Sequence, residues 1–262
     1  MKSKLPYLLQ ALFVALLISS CSGLKGTRHS TDDNINPPQV GVVHNDCLNV
    51  ILQIFKDSPK TKSGDMSLSR EELDELVSAT TLTYVTTTYE LTEDSDISLV
   101  KRVINDQLAL TRESIIAIIE GSGIAEQDVY GELDAIMTDS DLSLTSLYNR
   151  IDNSVERAKV LLSGIELEEF LASASVAKNT LQYWHNNYTD WGSTLNNPIT
   201  RASSFNWKQL AKADVIGCVA SVTGGGVSWL LGCGPVGWKA WLAVAASGAV
   251  VGSVEDALDQ LL

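Results

Sequence analysis

The sequence predicts an all-α fold, a multi-helix bundle of about seven or eight helices with a Gly-rich C-terminal helical hairpin. Three observations support this. Apolar residues recur every three or four positions along most of the chain after Gln39. Ser69 and Glu72 have the S-x-x-E spacing of a helix-capping box. Small residues recur every four positions near the C-terminal end, which favours two closely packed helices. A chain of 262 residues is long enough to bury its own core.

Residues 1–20 have the composition of a secretory signal peptide. Lys2 and Lys4 precede a largely apolar run, Leu5–Ile18, and Ser19-Ser20 stand directly before Cys21. This ending resembles the lipobox of bacterial lipoproteins, in which cleavage leaves the cysteine as the first residue of the mature chain. The resemblance implies that the thiol and amine of Cys21 carry acyl chains and that the protein is anchored through them to a lipid bilayer.

The next segment, residues 21–39, is polar, ends in Pro37-Pro38 and is predicted to be a disordered, lipidated tether. Removal of residues 1–20, which carry two Lys and no acidic residue, changes the formal net charge from −13 to −15. An acidic surface repels phosphate backbones, so we expect no nucleic-acid partner. The acyl chains, rather than a basic patch, are expected to hold the protein at the bilayer. We expect a location in the bacterial cell envelope, at the outer rather than the inner membrane.

The helical domain is predicted to span residues 40–262. Its Thr-rich segment 80–90 has six Thr and two Tyr and suits a strand as well as a helix; we expect a helix. The apolar seam that ends at Trp191 is compatible with a coiled coil, but its Ala and aromatic residues favour a bundle helix. Six helices are expected before the hairpin. The first covers about 41–57, the second begins after Ser69, and the third runs from Ile97 through Ile119 to Gly121. The next three cover about 126–138, Leu144–Leu162 and Leu167–Trp191.

The Gly-rich hairpin is predicted within residues 213–254. Residues 215–238 carry no charge, and 15 further uncharged residues follow Lys239. A run of 24 exceeds the ~20 residues that span a bilayer, but seven Gly and Pro235 interrupt it. Small residues recur at four and allow two helix backbones to approach closely; they are Gly217, Ser221 and Gly225 in one half, and Ala245, Ala249 and Ser253 with Gly248 and Gly252 in the other. We therefore expect a hairpin packed within the core, with membrane insertion as the alternative.

Three cysteines remain once Cys21 is acylated. In an oxidising compartment Cys218 and Cys233 are expected to form a bridge that closes a Gly-rich loop. The alternative is that all three are small buried thiols. Cys47 lies on the apolar stripe of the first helix, and this position favours a structural thiol over a catalytic partner for His44.

No motif in the sequence indicates an active site, a metal site or a cofactor site. HExxH, CxxC and GxSxG are absent. Gly232–Gly237 matches G-x-G-x-x-G, but the 25 residues after it leave no room for the returning strand of a dinucleotide-binding unit. His44 and Asn45 are expected to cap the first helix or to form hydrogen bonds inside the core near Trp184. A ligand-binding role for them is the less favoured hypothesis.

Several short motifs suggest a relative. The segment Gly41–Leu48 contains His44-Asn45, residues 183–191 are rich in Tyr and Trp, and Asp214–Gly217 opens the Gly-rich end. This layout, together with the lipobox, resembles uncharacterised lipoproteins of Bacteroidota-type bacteria, and the resemblance implies no particular activity. We expect a non-enzymatic binding or structural role, with a protein partner. The alternative is a membrane-active, bacteriocin-like protein that inserts its C-terminal hairpin.

Overall fold

The computed structural model describes residues 37–59, 68–109, 128–139, 143–195, 206–223 and 235–261. The predicted signal peptide, Cys21, most of the predicted tether and Cys233 lie outside these ranges. Within them the chain forms a short 3-10 turn and eight α-helices. In chain order the helices are α1 (Val40–Asp57), α2 (Arg70–Thr88), α3 (Asp94–Ala109), α4 (Asp128–Thr138), α5 (Leu144–Leu161), α6 (Gly164–Thr194), α7 (Trp207–Thr223) and α8 (Pro235–Leu261).

All regular elements in these ranges are helical, so the predicted all-α bundle is confirmed for the described part of the chain. The predicted helices match the observed ones to within a few residues where the two can be compared. The apolar stripe that continues through Ile115 and Ile119 lies outside the described residues. The helix with the apolar seam, α6, packs on α1, α5 and α7, which is the arrangement of a bundle helix rather than of a coiled coil.

The Thr-rich segment at the end of α2 is helical. Ser69 and Glu72 form the predicted capping box: the Ser69 amide donates to Glu72 Oε2 at 2.8 Å, and the Glu72 amide donates to Ser69 Oγ at 3.3 Å. The hydroxyls of Thr83 and Thr86 donate to carbonyl oxygens one turn earlier. Such bonds let threonine occupy a helix despite its branched side chain. Helix packing therefore overrides the strand preference of this segment.

The predicted tether extends too far by three residues. Pro37–Gln39 form the 3-10 turn, and this turn packs against α6. The side chain of Pro37 is buried. Proline is pre-organised for such a turn because its ring fixes φ near the helical value. The folded domain thus begins at or before residue 37.

The centre of the bundle is α8. It packs on α1, α2, α3, α6 and α7, and its most extensive contact is with α7. Residues Trp238–Gln260 are long and apolar enough to cross a membrane by length and composition, and most of this segment is buried inside the bundle. The predicted Gly-rich hairpin is therefore confirmed as the pair α7–α8, and it occupies the core.

Small residues bring α7 and α8 into backbone contact. A Cβ atom added to Gly217 would overlap the carbonyl of Gly248, and one added to Gly248 would overlap the Ser221 hydroxyl. A Cβ atom on Gly252 would lie 3.0 Å from the carbonyl oxygen of Ala213, which is a milder conflict. The spacing of four residues, which predicts a close approach, therefore marks the residues that form the contact.

Candidate functional site

The first turn of α1 lies unusually close to α6. A Cβ atom on Gly41 would overlap the backbone carbonyl of Ser175, and the Gly41 amide donates to Ser175 Oγ at 3.2 Å. Further along the same helices, the ring of Trp191 meets that of Phe55 edge-on, with 5.8 Å between centroids. These contacts fix α1 on α6 and direct His44, one turn after Gly41, into the interior of the bundle.

His44 meets a carboxylate from α7 in the core. His44 Nε2 lies 3.3 Å from Asp214 Oδ2, and both side chains have 0% exposed surface. The same carboxylate oxygen accepts hydrogen bonds from the Thr180 hydroxyl and from Trp184 Nε1, the latter at 3.1 Å. Trp184 Nε1 also lies 3.0 Å from Ser253 Oγ on α8. We call these five residues, His44, Thr180, Trp184, Asp214 and Ser253, the core polar cluster.

Asn45 determines which ring nitrogen of His44 carries a proton. Asn45 Nδ2 donates to the carbonyl of Asn179 at 3.0 Å, which leaves its Oδ1 to accept from His44 Nδ1 at 2.9 Å. His44 Nδ1 is therefore protonated. The contact with Asp214 is then attractive only if a second proton lies between Nε2 and Oδ2, because two lone pairs would otherwise face each other. The two side chains form an ion pair when the imidazole carries both protons.

The core polar cluster joins four helices. His44 belongs to α1, Thr180 and Trp184 to α6, Asp214 to α7 and Ser253 to α8. All five side chains are fully buried. A buried polar side chain is costly unless it has a partner, so the position of each helix depends on the other three. No atom of the cluster is exposed to solvent, and its described contacts all join one helix of the bundle to another or lie within one helix.

The two described cysteines are buried free thiols. Burial raises the pKa of the Cys47 thiol, which keeps it in the unreactive protonated form. The Cys218 thiol lies 4.0 Å from Ser173 Oγ on α6. Cys233 lies outside the described residues, so a Cys218–Cys233 bridge stays a prediction. The described residues contain no group of three His, Cys, Asp or Glu side chains that could hold a metal ion.

One further titratable group lies near the start of α6. Glu169 is 9% exposed. Burial, followed by the charge of Glu166, raises the pKa of Glu169 from 4.5 to about 7. The folded state therefore holds a proton on this carboxyl between about pH 4.5 and 7, a range in which an unfolded chain releases it.

The stability of the protein is expected to fall as the pH rises through this window. Because the folded state binds the extra proton, the contribution of Glu169 is complete below about pH 4.5 and is lost above about pH 7. We expect Glu169→Gln to remove about 2 kcal/mol of the difference in unfolding free energy between pH 5 and pH 8. Urea unfolding at both pH values measures this. Glu166→Gln, which removes only the neighbouring charge, should remove less; an unchanged pH dependence in Glu169→Gln would contradict the assignment.

The structure places His44 in one cluster with Trp184 and with a further partner. His44 contacts Asp214 inside the core, and half-buried Asn45 bonds to His44 and to the carbonyl of Asn179 at its edge. The partner that sequence reasoning missed is Asp214. Its signal was available: Asp214 is the only charge between Lys212 and Lys239, at the start of an otherwise uncharged run. An isolated charge in such a run indicates a buried partner.

Comparisons with known proteins identify no relative for this chain. No family model matches it. No curated protein and no solved structure shows significant similarity to it.

Proposed function

We propose that this protein is a membrane-anchored lipoprotein of the bacterial cell envelope with a non-enzymatic binding or structural role. The observation that carries the proposal is the N-terminal sequence, in which Lys2 and Lys4, an apolar run and Ser19-Ser20 precede Cys21. The helical domain that follows begins close to the anchor, since fifteen residues, 22–36, separate Cys21 from the 3-10 turn. Fully extended, fifteen residues reach about 50 Å, which sets the greatest distance of the domain from the anchor.

The chemistry of the buried polar groups supports a non-enzymatic role. His44 and Cys47, the thiol–imidazole pair that the sequence offers, are fully buried, and so is Asp214. His44 and Asp214 face each other, and the raised pKa of the Cys47 thiol keeps it protonated. The acidic composition, with a formal net charge of −13 for the whole chain and −15 without residues 1–20, favours a protein partner over a nucleic acid.

A labelling experiment tests this proposal, and its expected result is acylation of Cys21. Cells that produce the protein in the presence of a radiolabelled or alkyne-bearing fatty acid should incorporate the label into it, and Cys21→Ala should abolish the label. Mass spectrometry of the N-terminal peptide should show a mature chain that begins at an acylated Cys21. The matched control is Cys47→Ala, which removes a buried thiol and should retain full labelling.

Two outcomes would contradict the proposal. An unlabelled wild-type protein would show that the motif is not a lipobox. Equal labelling of wild type and Cys21→Ala would place the acyl chain elsewhere. Membrane fractionation of the same samples should show that wild type sediments with the outer membrane and that Cys47→Ala behaves in the same way.

A further inference from the structure

The charges of the α7–α8 hairpin are concentrated at one end. Gln209 Nε2 donates to Asp256 Oδ1 at 3.3 Å, so the start of α7 lies beside the end of α8. We call residues 206–214 and 255–260 the hairpin base. The 40 residues between Asp214 and Glu255 in the sequence carry one charge, that of Lys239. We call the helical residues 215–223 and 240–254 the hairpin shaft.

The shaft of α8 is uncharged and is apolar except for Ser247 and Ser253. The eight side chains from Ala240 to Ser247 have 0% exposed surface. A helix that is apolar all round suits either a protein core or a membrane. Fifteen residues at ~1.5 Å each cover about 22 Å, most of the ~30 Å thickness of a hydrocarbon core. Lys239, at the end away from the base, has a stem long enough to bring its ammonium group to lipid headgroups.

The core polar cluster lies where the base meets the shaft. Asp214 is the last charge before the shaft of α7, and Ser253 lies two residues before Glu255 on α8. Their partners, His44 on α1 and Trp184 on α6, belong to the surrounding bundle. A buried ion pair adds little net stability, because desolvation offsets the attraction; its best attested use is to specify one arrangement. Here it specifies the arrangement in which the hairpin is inside the bundle.

We propose that the α7–α8 hairpin is a membrane-insertion element, retained in the bundle by the buried His44–Asp214 ion pair and able to enter a lipid bilayer, shaft first, when that pair is broken. This function goes beyond the anchoring role of Cys21 and does not depend on it. Transfer of the shaft keeps its own side chains in an apolar environment, whereas the faces of α1, α2, α3 and α6 that pack on α8 lose that cover. The charged base stays at the headgroups, since Asp214 and Glu255 both lie outside the shaft.

The test uses residues 22–262, which contain every described contact and lack the lipid-bearing cysteine. The variants Asp214→Asn and His44→Gln break the pair with little change of shape. Leu147→Ala is the control, because Leu147 is a buried residue of α5, a helix that packs on α4 and α6. Each protein is incubated with vesicles of phosphatidylethanolamine and phosphatidylglycerol, floated on a density gradient and washed with alkaline carbonate. Hydrogen exchange then compares peptides from residues 240–254 with peptides from α5.

The two ion-pair variants should remain with the vesicles about tenfold more than wild type. Their shaft amides should be protected in the floated fraction while α5 amides exchange rapidly. Leu147→Ala should stay in the aqueous fraction, even if urea unfolding shows that it loses as much stability as the ion-pair variants. The proposal is overturned if the ion-pair variants also stay aqueous, or if Leu147→Ala binds vesicles equally well, because binding would then follow from general unfolding.

A second measurement applies if the ion-pair variants do not fold, as judged by circular dichroism. Wild type is then held with the same vesicles at a urea concentration just below its unfolding midpoint. Protection of residues 240–254 that requires vesicles, with rapid exchange in α5, would support insertion. Equal exchange of the shaft with and without vesicles would overturn it. Since none of these proteins contains Cys21, the result is independent of whether the lipoprotein assignment holds.

Discussion

Replacement of Gly217 or Gly248 by alanine is expected to lower the free energy of unfolding by about 3 kcal/mol, and replacement of either by valine to prevent folding. The new Cβ atom on Gly217 would overlap the carbonyl of Gly248, and the one on Gly248 would overlap Ser221 Oγ. Neither helix can yield easily, because α8 also packs on α1, α2, α3 and α6. Urea unfolding followed by circular dichroism gives the loss for each variant.

Two other glycines provide matched controls for this prediction. Gly131 is an exposed helical residue of α4, and a Cβ atom there has nothing within 4 Å. Gly131→Ala should therefore stabilise the protein by about 0.5–1 kcal/mol, since alanine costs less backbone entropy in a helix. Gly252→Ala, with its Cβ atom 3.0 Å from the Ala213 carbonyl oxygen, should fall between the two extremes. Equal effects at Gly131 and Gly217 would show that the backbones of α7 and α8 are too far apart to be in contact at Gly217.

The fold was predictable because its signals are local. The Ser69 capping box, the three-and-four spacing of apolar residues and the small residues of the hairpin each describe one helix or one contact between neighbouring helices. The Thr-rich end of α2 was ambiguous, because the preference of threonine for strands opposes the packing of this segment as a helix. Its outcome depends on the burial of Thr80 and Thr81 against other helices, which no local pattern contains.

The candidate site was only half predictable for the same reason. His44 and Asn45 are adjacent in sequence and stand out in an apolar helix, but Asp214 lies 170 residues after His44. Only the packing of α1 and α7 against α6 brings the two side chains together. Thr180 and Trp184 donate their hydrogen bonds to the same Asp214 carboxylate oxygen. No local sequence pattern therefore indicates which acceptor these two donors have. The isolated charge of Asp214 indicates in the sequence that it is buried, but which side chains it pairs with follows from the tertiary structure alone.

Replacement of Asp214 by alanine is expected to lower the free energy of unfolding by about 3–5 kcal/mol. The substitution leaves His44, Thr180 and Trp184 without the carboxylate that they share, in a site with no access to water. The matched control is Asp190→Ala. Asp190 lies 3.1 Å from Lys56 Nζ, but its side chain is 59% exposed. An exposed pair of this kind contributes less than about 1 kcal/mol, so the two aspartates should differ severalfold.

A double-mutant cycle shows whether the stability lost in Asp214→Ala belongs to the ion pair or to the cavity. Removing either member alone leaves the other unpaired in the core. Removing both leaves no unpaired charge there. The double variant His44→Ala/Asp214→Ala should therefore lose about 2 kcal/mol less than the sum of the two single losses. Additive losses would assign the effect to packing and would leave nothing to hold the hairpin beyond its apolar contacts. A large coupling energy, by contrast, would measure the interaction that must be broken before α7 and α8 can separate from α1, because His44 and Asp214 lie on opposite sides of that boundary.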